Sequence, residues 1–208
     1  MIVKKYNVGM YQTNCYLLVD EKSKECVIID PGDVSEKLNL DISSNNYNVK
    51  FIIFTHGHFD HIGGMEYYMS LFEKSTVLMH KFDILSVLAE YDVFNIFMKN
   101  KGETVKKITL HSENNKYVLG DTEICIIHTP GHSRGGISVY VDGILFSGDT
   151  LFKHSIGRTD FIDGDFDELK KSVRKLYELP DDTVVYPGHG DSTTIINEKI
   201  NNPYVREN

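Results

Sequence analysis

Eight short runs rich in valine and isoleucine divide the chain: CYLLVD (15–20), CVIID (26–30), FIIFT (51–55), TVLMH (76–80), EICIIHT (123–129), ISVYVD (137–142), ILFSGD (144–149) and TVVYP (183–187). PGD, DG and PGHG turns punctuate them, so each reads as a strand that stops abruptly. Helical periodicity fits roughly 34–44, 62–73, 81–98 and 165–179. In the last of these Leu169, Val173 and Leu176 form one apolar stripe, Asp165 or Asp167 supplies a cap, and KKSVRK (170–175) forms the outer face. Strand pairs joined by tight turns come first and strands followed by helices come later. The interleaving predicts a layered α/β or α+β fold with mixed sheets, its functional loops gathered at one edge. SSNNYN (43–48) reads as a solvated loop and NNPYVREN at the end as a tail.

At 208 residues the chain is long enough for one good-sized core, and no linker-like stretch divides it; a single domain over 1–208 is expected. The net charge of -8 disfavours a nucleic-acid partner. Cys15, Cys26 and Cys125 sit singly, with no CxxC pair, as in a disulfide-free intracellular protein. MIVKKYNVGM has neither an apolar signal core nor a cleavage site, and no run of about 18 apolar residues occurs anywhere. The expectation is a cytoplasmic protein without membrane spans. No P-loop and no GxGxxG follows the first strands.

The chemistry concentrates in FIIFTHGHFDHIGGM (51–65). FIIF is apolar enough for a buried strand, so Thr55 onward emerges at its end. His56 and His58, two apart on an extended segment, point the same way and can grip one ion together. Asp60 and His61 lie past the turn at the start of a helix, displaced toward a neighbouring ion, and a carboxylate suits that positive helix end. Gly57, Gly63 and Gly64 permit the tight turning. Four ligands do not complete two sites, because a catalytic zinc takes about three protein ligands and keeps a position open for water. HTPGHS offers His132, FSGDTLF offers Asp149 and YPGHGDS offers His189, each on a glycine-containing turn directly after a strand-like run.

With THGHFDHIGG, HTPGHS, SGDTLF, SIGRTDF, YPGHGDSTTIINEKINNPY and IIDPGD, the chain resembles the metallo-β-lactamase fold superfamily, and within it the glyoxalase II-like hydrolases, over nearly its whole length. The resemblance implies an α+β fold, a four-layer αββα sandwich with helices on the outer faces and a dinuclear site at the sheet edge. It implies a first metal held by His56, His58 and His132 and a second held by Asp60, His61 and His189, with Asp149 bridging both and Asp60 and Asp149 serving catalysis. A carboxylate at position 149 argues against antibiotic hydrolysis, since β-lactamases of this fold typically carry Cys or Ser there. His58 in place of a glutamate argues against flavodiiron oxygen reductases. Asp30 is the expected orienting partner of a ligating histidine. Only 19 residues follow His189, so the chain looks like a short bacterial variant without the C-terminal helical region that binds glutathione. The implied cofactors are two divalent ions, zinc foremost, with iron or manganese as alternatives. The implied activity is hydrolysis of a small hydroxyacyl thioester of the S-lactoylglutathione type by a metal-bridging hydroxide. The competing readings are a mononuclear iron persulfide dioxygenase and, behind it, a nuclease of the same fold.

Beyond the ligands, Arg158 either grips a substrate carboxylate or pairs with Asp160 two residues on. His154 is the second candidate for substrate contact because it lies near Asp149 in sequence. His128 reads as orienting or structural, His80 and His111 as ordinary histidines, and Tyr67 and Tyr68 as packing. The same holds for Phe94 and Phe97, although a segment over 81–105 would be placed to overhang the site.

Overall fold

Apolar side chains alternate between two packing layers along each inner strand, which is why these strands read as unbroken hydrophobic runs rather than as polar–apolar alternation. In Asn48–Ile53, Ile52 faces a cluster shared with helices while Phe51 and Ile53 face the opposite sheet. The computed structural model describes residues 1–84, 108–111 and 116–206.

The first sheet runs in the order β1 (Ile2–Val8), β2 (Thr13–Val19), β3 (Glu25–Ile29), β4 (Asn48–Ile53), β5 (Thr76–His80) and β6 (Ile108–His111). It starts as antiparallel hairpins and becomes parallel from β3 to β6. Helices α1 (Glu36–Ser44), α2 (Phe59–Ile62) and α3 (Met65–Leu71) belong to this half. The second sheet comprises β7 (Lys116–Leu119), β8 (Thr122–His128), β9 (Ile137–Val141), β10 (Ile144–Gly148), β13 (Val184–Pro187) and β14 (Thr193–Thr194). Its spatial order is β14-β13-β10-β9-β8-β7, with β10 and β13 parallel. A small hairpin, β11 (Leu151–Phe152) with β12 (Ser155–Ile156), and helices α4 (Phe166–Leu176) and α5 (Ile195–Asn201) complete it.

Three buried clusters fill the spaces between four layers. Leu17, Ile28 and Ile52 meet Leu38, Met65 and Tyr68 of the helices on one side. Leu18, Val27 and Ile53 meet Ile124, Val139 and Phe146 between the sheets. Leu145 and Val185 meet Leu169, Val173, Leu176 and Ile195 on the far side. The protein is thus an α+β sandwich of mixed sheets, with the expected Leu169–Val173–Leu176 stripe wholly buried. Asp165 is the cap of α4, its carboxylate accepting the Glu168 N–H at 2.9 Å.

Three expectations change. The helix over 62–73 is two pieces, because Gly63 and Gly64 fold the chain onto the Pro31–Gly32 turn: Gly64 N–H donates to Pro31 O at 2.9 Å, and a Cβ on Gly63 would sit 2.3 Å from Gly32 O. The final segment is no tail, since Val205 is buried in the third cluster and its carbonyl accepts the Tyr177 hydroxyl at 3.0 Å. β1, β6 and β7 also went unread; β1 buries only Tyr6 and Val8 fully and presents Lys5 and Asn7 to solvent. The helix expected over 81–98, with Phe94 and Phe97 and any overhang, lies outside the described residues past a 3-10 turn at Lys81–Asp83. Among the described residues no helix is long and apolar enough to cross a membrane.

Candidate metal centre

Strand direction assembles the site. β3, β4 and β5 are parallel, β10 and β13 are parallel, and β8 runs with β10 because β9 is antiparallel to both. Their C-terminal ends deliver Asp30, the His56–His61 loop, Asp83, His132, Asp149 and His189. An amide hydrogen bond from Ile137 to the Thr55 carbonyl (2.8 Å) ties the two sheets together here.

All seven expected ligands converge. His56, His58 and His132 form one group, Asp60, His61 and His189 another, and His56, His61 and Asp149 a third between them, with donor atoms in each group within 4.8 Å of one another. Asp149 reaches both outer groups: Oδ1 lies 3.4 Å from His61 Nε2, and Oδ2 lies 3.6 Å from His132 Nε2 and 3.7 Å from His189 Nε2. Gly188 must be glycine at this point, for a Cβ would fall 2.1 Å from Asp149 Oδ1 and 2.7 Å from His61 Cε1.

Hydrogen bonds behind the histidines aim them inward. Asp30 accepts the Thr55 N–H (2.7 Å) and hydroxyl (2.6 Å), and it also takes His61 Nδ1 at 3.0 Å. Because the Thr55 hydroxyl proton goes to Asp30, its oxygen receives His56 Nδ1–H at 3.1 Å. Asp30 therefore orients His61 directly and His56 through Thr55. His132 Nδ1 donates to the Arg158 carbonyl at 2.8 Å. Each of these three rings turns Nε2 to the centre, the arrangement typical of metal-ligating histidines. His56 Nε2 and Asp149 Oδ1 are buried and have no hydrogen-bond partner. Two orphaned acceptors at the focus of a His/Asp set are costly unless a cation satisfies them, so the residues fit a metal site.

The electrostatics separate the two ends. Burial pushes the His56 pKa well below its ordinary value, and burial with neighbouring His132 and His61 lowers His58 to about 4. At the other end burial would lower His61, but Asp149, Asp30 and Asp60 outweigh it and lift the pKa to about 9. A hydrogen bond to Asp60 (3.2 Å) raises His189. Burial would raise Asp60, yet bonds from His189 and Thr13 (3.0 Å), with the charge of His61, hold its pKa well below the carboxylate range. One end is thus a neutral nitrogen pocket and the other an acid-rich one.

The remaining residues fall elsewhere. Arg158 pairs bidentately with Asp160, both contacts 2.9 Å, and lies over the Phe161 ring at 4.7 Å. His154 faces α5, its ring 3.1 Å from Asn197 Nδ2. His128 bonds the Arg134 carbonyl at 3.0 Å and stacks on His80 at 4.2 Å, outside the ligand groups. Tyr68 is buried packing and Tyr67 bonds Asn39 at 2.8 Å.

Sequence reasoning missed Asn14, whose amide donates to the Pro187 and Gly190 carbonyls (both 2.9 Å) and clamps the His189 turn, and Phe161, whose ring lies 4.9 Å from that of His58. It also missed Asp83, fully buried behind the first trio. Asp83 carried a signal, an acidic residue soon after a strand-like run, whereas Asn14 carried none.

Residues 8–189 match the family profile described as the Metallo-beta-lactamase superfamily. The hydroxyacylglutathione hydrolase GloC of Haemophilus influenzae is 34% identical over 218 residues, covering 95% of each chain. Among solved structures, the BLEG-1 B3 metallo-beta-lactamase is 34% identical with a TM-score of 0.80, covering 98% of this chain and 99% of that one. TTHA1623, in a di-iron-bound form, is 29% identical with a TM-score of 0.81, covering 97% and 100%.

Proposed function

The chain belongs to the metallo-beta-lactamase superfamily, and from that premise we propose that it is a dinuclear metal-dependent hydrolase of small hydroxyacyl thioesters, similar to GloC. The observation that carries this reading is Asp149, whose carboxylate reaches both ligand groups, Oδ2 lying near His132 and His189 and Oδ1 near His61, with Oδ1 buried without a hydrogen-bond partner. His56, His58 and His132 would hold one ion, Asp60, His61 and His189 the other, and Asp149 would join them. Two divalent ions held there, zinc or alternatively iron or manganese, would bring a shared water toward ionisation near neutral pH and polarise an acyl carbonyl.

The chain's own residues supply the rest. Asp60 has one oxygen fixed by Thr13 and His189 and is the carboxylate placed to steer the water's proton. Phe161, 39% exposed and packed against both His58 and His132, forms an apolar wall for the substrate and screens that side of the site from water. A thiolate departs without a strong general acid, because thiols ionise near pH 8.5. Arg158 is engaged by Asp160, so a substrate carboxylate would have to displace that partner to use it.

The test is metal analysis of the purified protein combined with two assays: under anaerobic conditions, thioesters differing only in their thiol part with a β-lactam as comparison, and in air, oxygen uptake on glutathione persulfide. Two ions per chain and turnover of a hydroxyacyl thioester with the β-lactam untouched is the expected result. One iron per chain with oxygen consumed on glutathione persulfide would replace this reading with the dioxygenase, and β-lactam turnover alone would assign the activity of the BLEG-1 neighbour instead.

A further inference from the structure

Asp83 lies outside the seven ligands, yet it touches both chain segments that carry the first trio. It ends the 3-10 turn that follows β5 and is fully buried. Its Oδ2 accepts the Gly57 N–H and the Ser133 hydroxyl, both at 2.8 Å, and its Oδ1 accepts the Gly135 N–H at 2.5 Å. Gly57 stands between His56 and His58, and Ser133 follows His132. No ion pair to Asp83 is present among the described residues, so these donors are what compensates the buried carboxylate. The fit is close, since a Cβ on Gly135 would come 2.3 Å from Asp83 Oδ1.

We infer that Asp83 is a positioning residue that sets the separation of His56 and His58 from His132 by clasping their two turns together. A carboxylate suits this role because all three partners are donors. An asparagine of the same shape has one acceptor oxygen, so its NH2 would confront one of the three donors and the clasp would open on that side. Alanine removes the clasp and leaves the donors buried and unpaired.

The inference rests on the proposed metal reading, so the test has one arm that needs no metal. Wild type, Asp83→Asn and Ser133→Ala are each titrated with Co2+ against a competing chelator. Paramagnetically shifted ring N–H signals of His56 and His132 report the first site, and that of His61 the second. Removing groups that orient ligands typically weakens metal binding by about 10–100-fold. Asp83→Asn should show that loss at the first site with the second changed less than about threefold, and Ser133→Ala, which removes one donor of three, about threefold at the first site. In the metal-free protein Asp83→Asn should speed amide hydrogen exchange at Gly57 and Gly135 by about tenfold. If Asp83→Asn does not fold, Ser133→Ala alone decides, and unchanged first-site affinity in that variant overturns the inference. Equal losses at both sites, or unaltered affinity with unaltered exchange in a folded Asp83→Asn, also overturn it. A wild type that binds no Co2+ defeats the metal reading and leaves the exchange arm to decide the clasp.

Discussion

The two sheets supply the site in different ways. The first delivers four donors on one loop, His56 to His61, and its alignment comes from the same sheet: Asp30, one strand away, orients His61 directly and His56 through Thr55. The second delivers His132, Asp149 and His189 on three separate turns, and the groups that align His132 and His189 lie outside the strands that carry them. His132 leans on the Arg158 carbonyl, and the His189 turn leans on Asn14 of the opposite sheet, 173 to 176 residues away in sequence. A loop can carry its own ligand geometry; separated turns need clasps between sheets, and that is where non-ligand residues matter most.

The contrast can be broken at several points. The largest effect belongs to ligands, where the origin of the loop is irrelevant: His58→Ala and Asp149→Ala should each reduce thioester hydrolysis to background and lower metal content, while the folded state persists by circular dichroism. Next comes Asp30→Asn, which disturbs two histidines at once and should weaken metal binding about 10–100-fold in a competition titration, at both sites. Asn14→Ala should act on one side only, weakening the Asp60–His61–His189 site about tenfold with the all-histidine trio nearly unchanged in the same titration. Arg158→Ala should have the smallest effect on stability, leaving the midpoint of a denaturant melt essentially unmoved, because its pair with Asp160 is solvent-exposed. A loss of much more than tenfold in kcat/KM from Arg158→Ala would instead show that the guanidinium leaves Asp160 to grip substrate.

The layering and the seven converging residues were legible because each signal was local: an apolar run, a glycine turn, then a histidine or aspartate. What escaped was set by contacts across the chain. The break in the helix after Ile62 depends on Gly63 and Gly64 meeting Pro31 and Gly32. Val205 lies in a polar stretch and is buried only because Tyr177 and its neighbours receive it. Asn14 looks like any polar residue before a strand until the second sheet is laid against it, and for Arg158 the sequence offered both a substrate grip and the pair with Asp160, between which the side-chain geometry chooses the pair.

A calorimetric titration of metal-free protein with Zn2+, repeated on Asp149→Ala, reaches the shared carboxylate without passing through any substrate. Two ions per chain are expected in the wild type, with a clear loss of affinity at both sites once Asp149 is gone. A wild type that saturates at one ion per chain, or an Asp149→Ala protein that still binds two with unaltered affinity, would contradict a centre joined by Asp149.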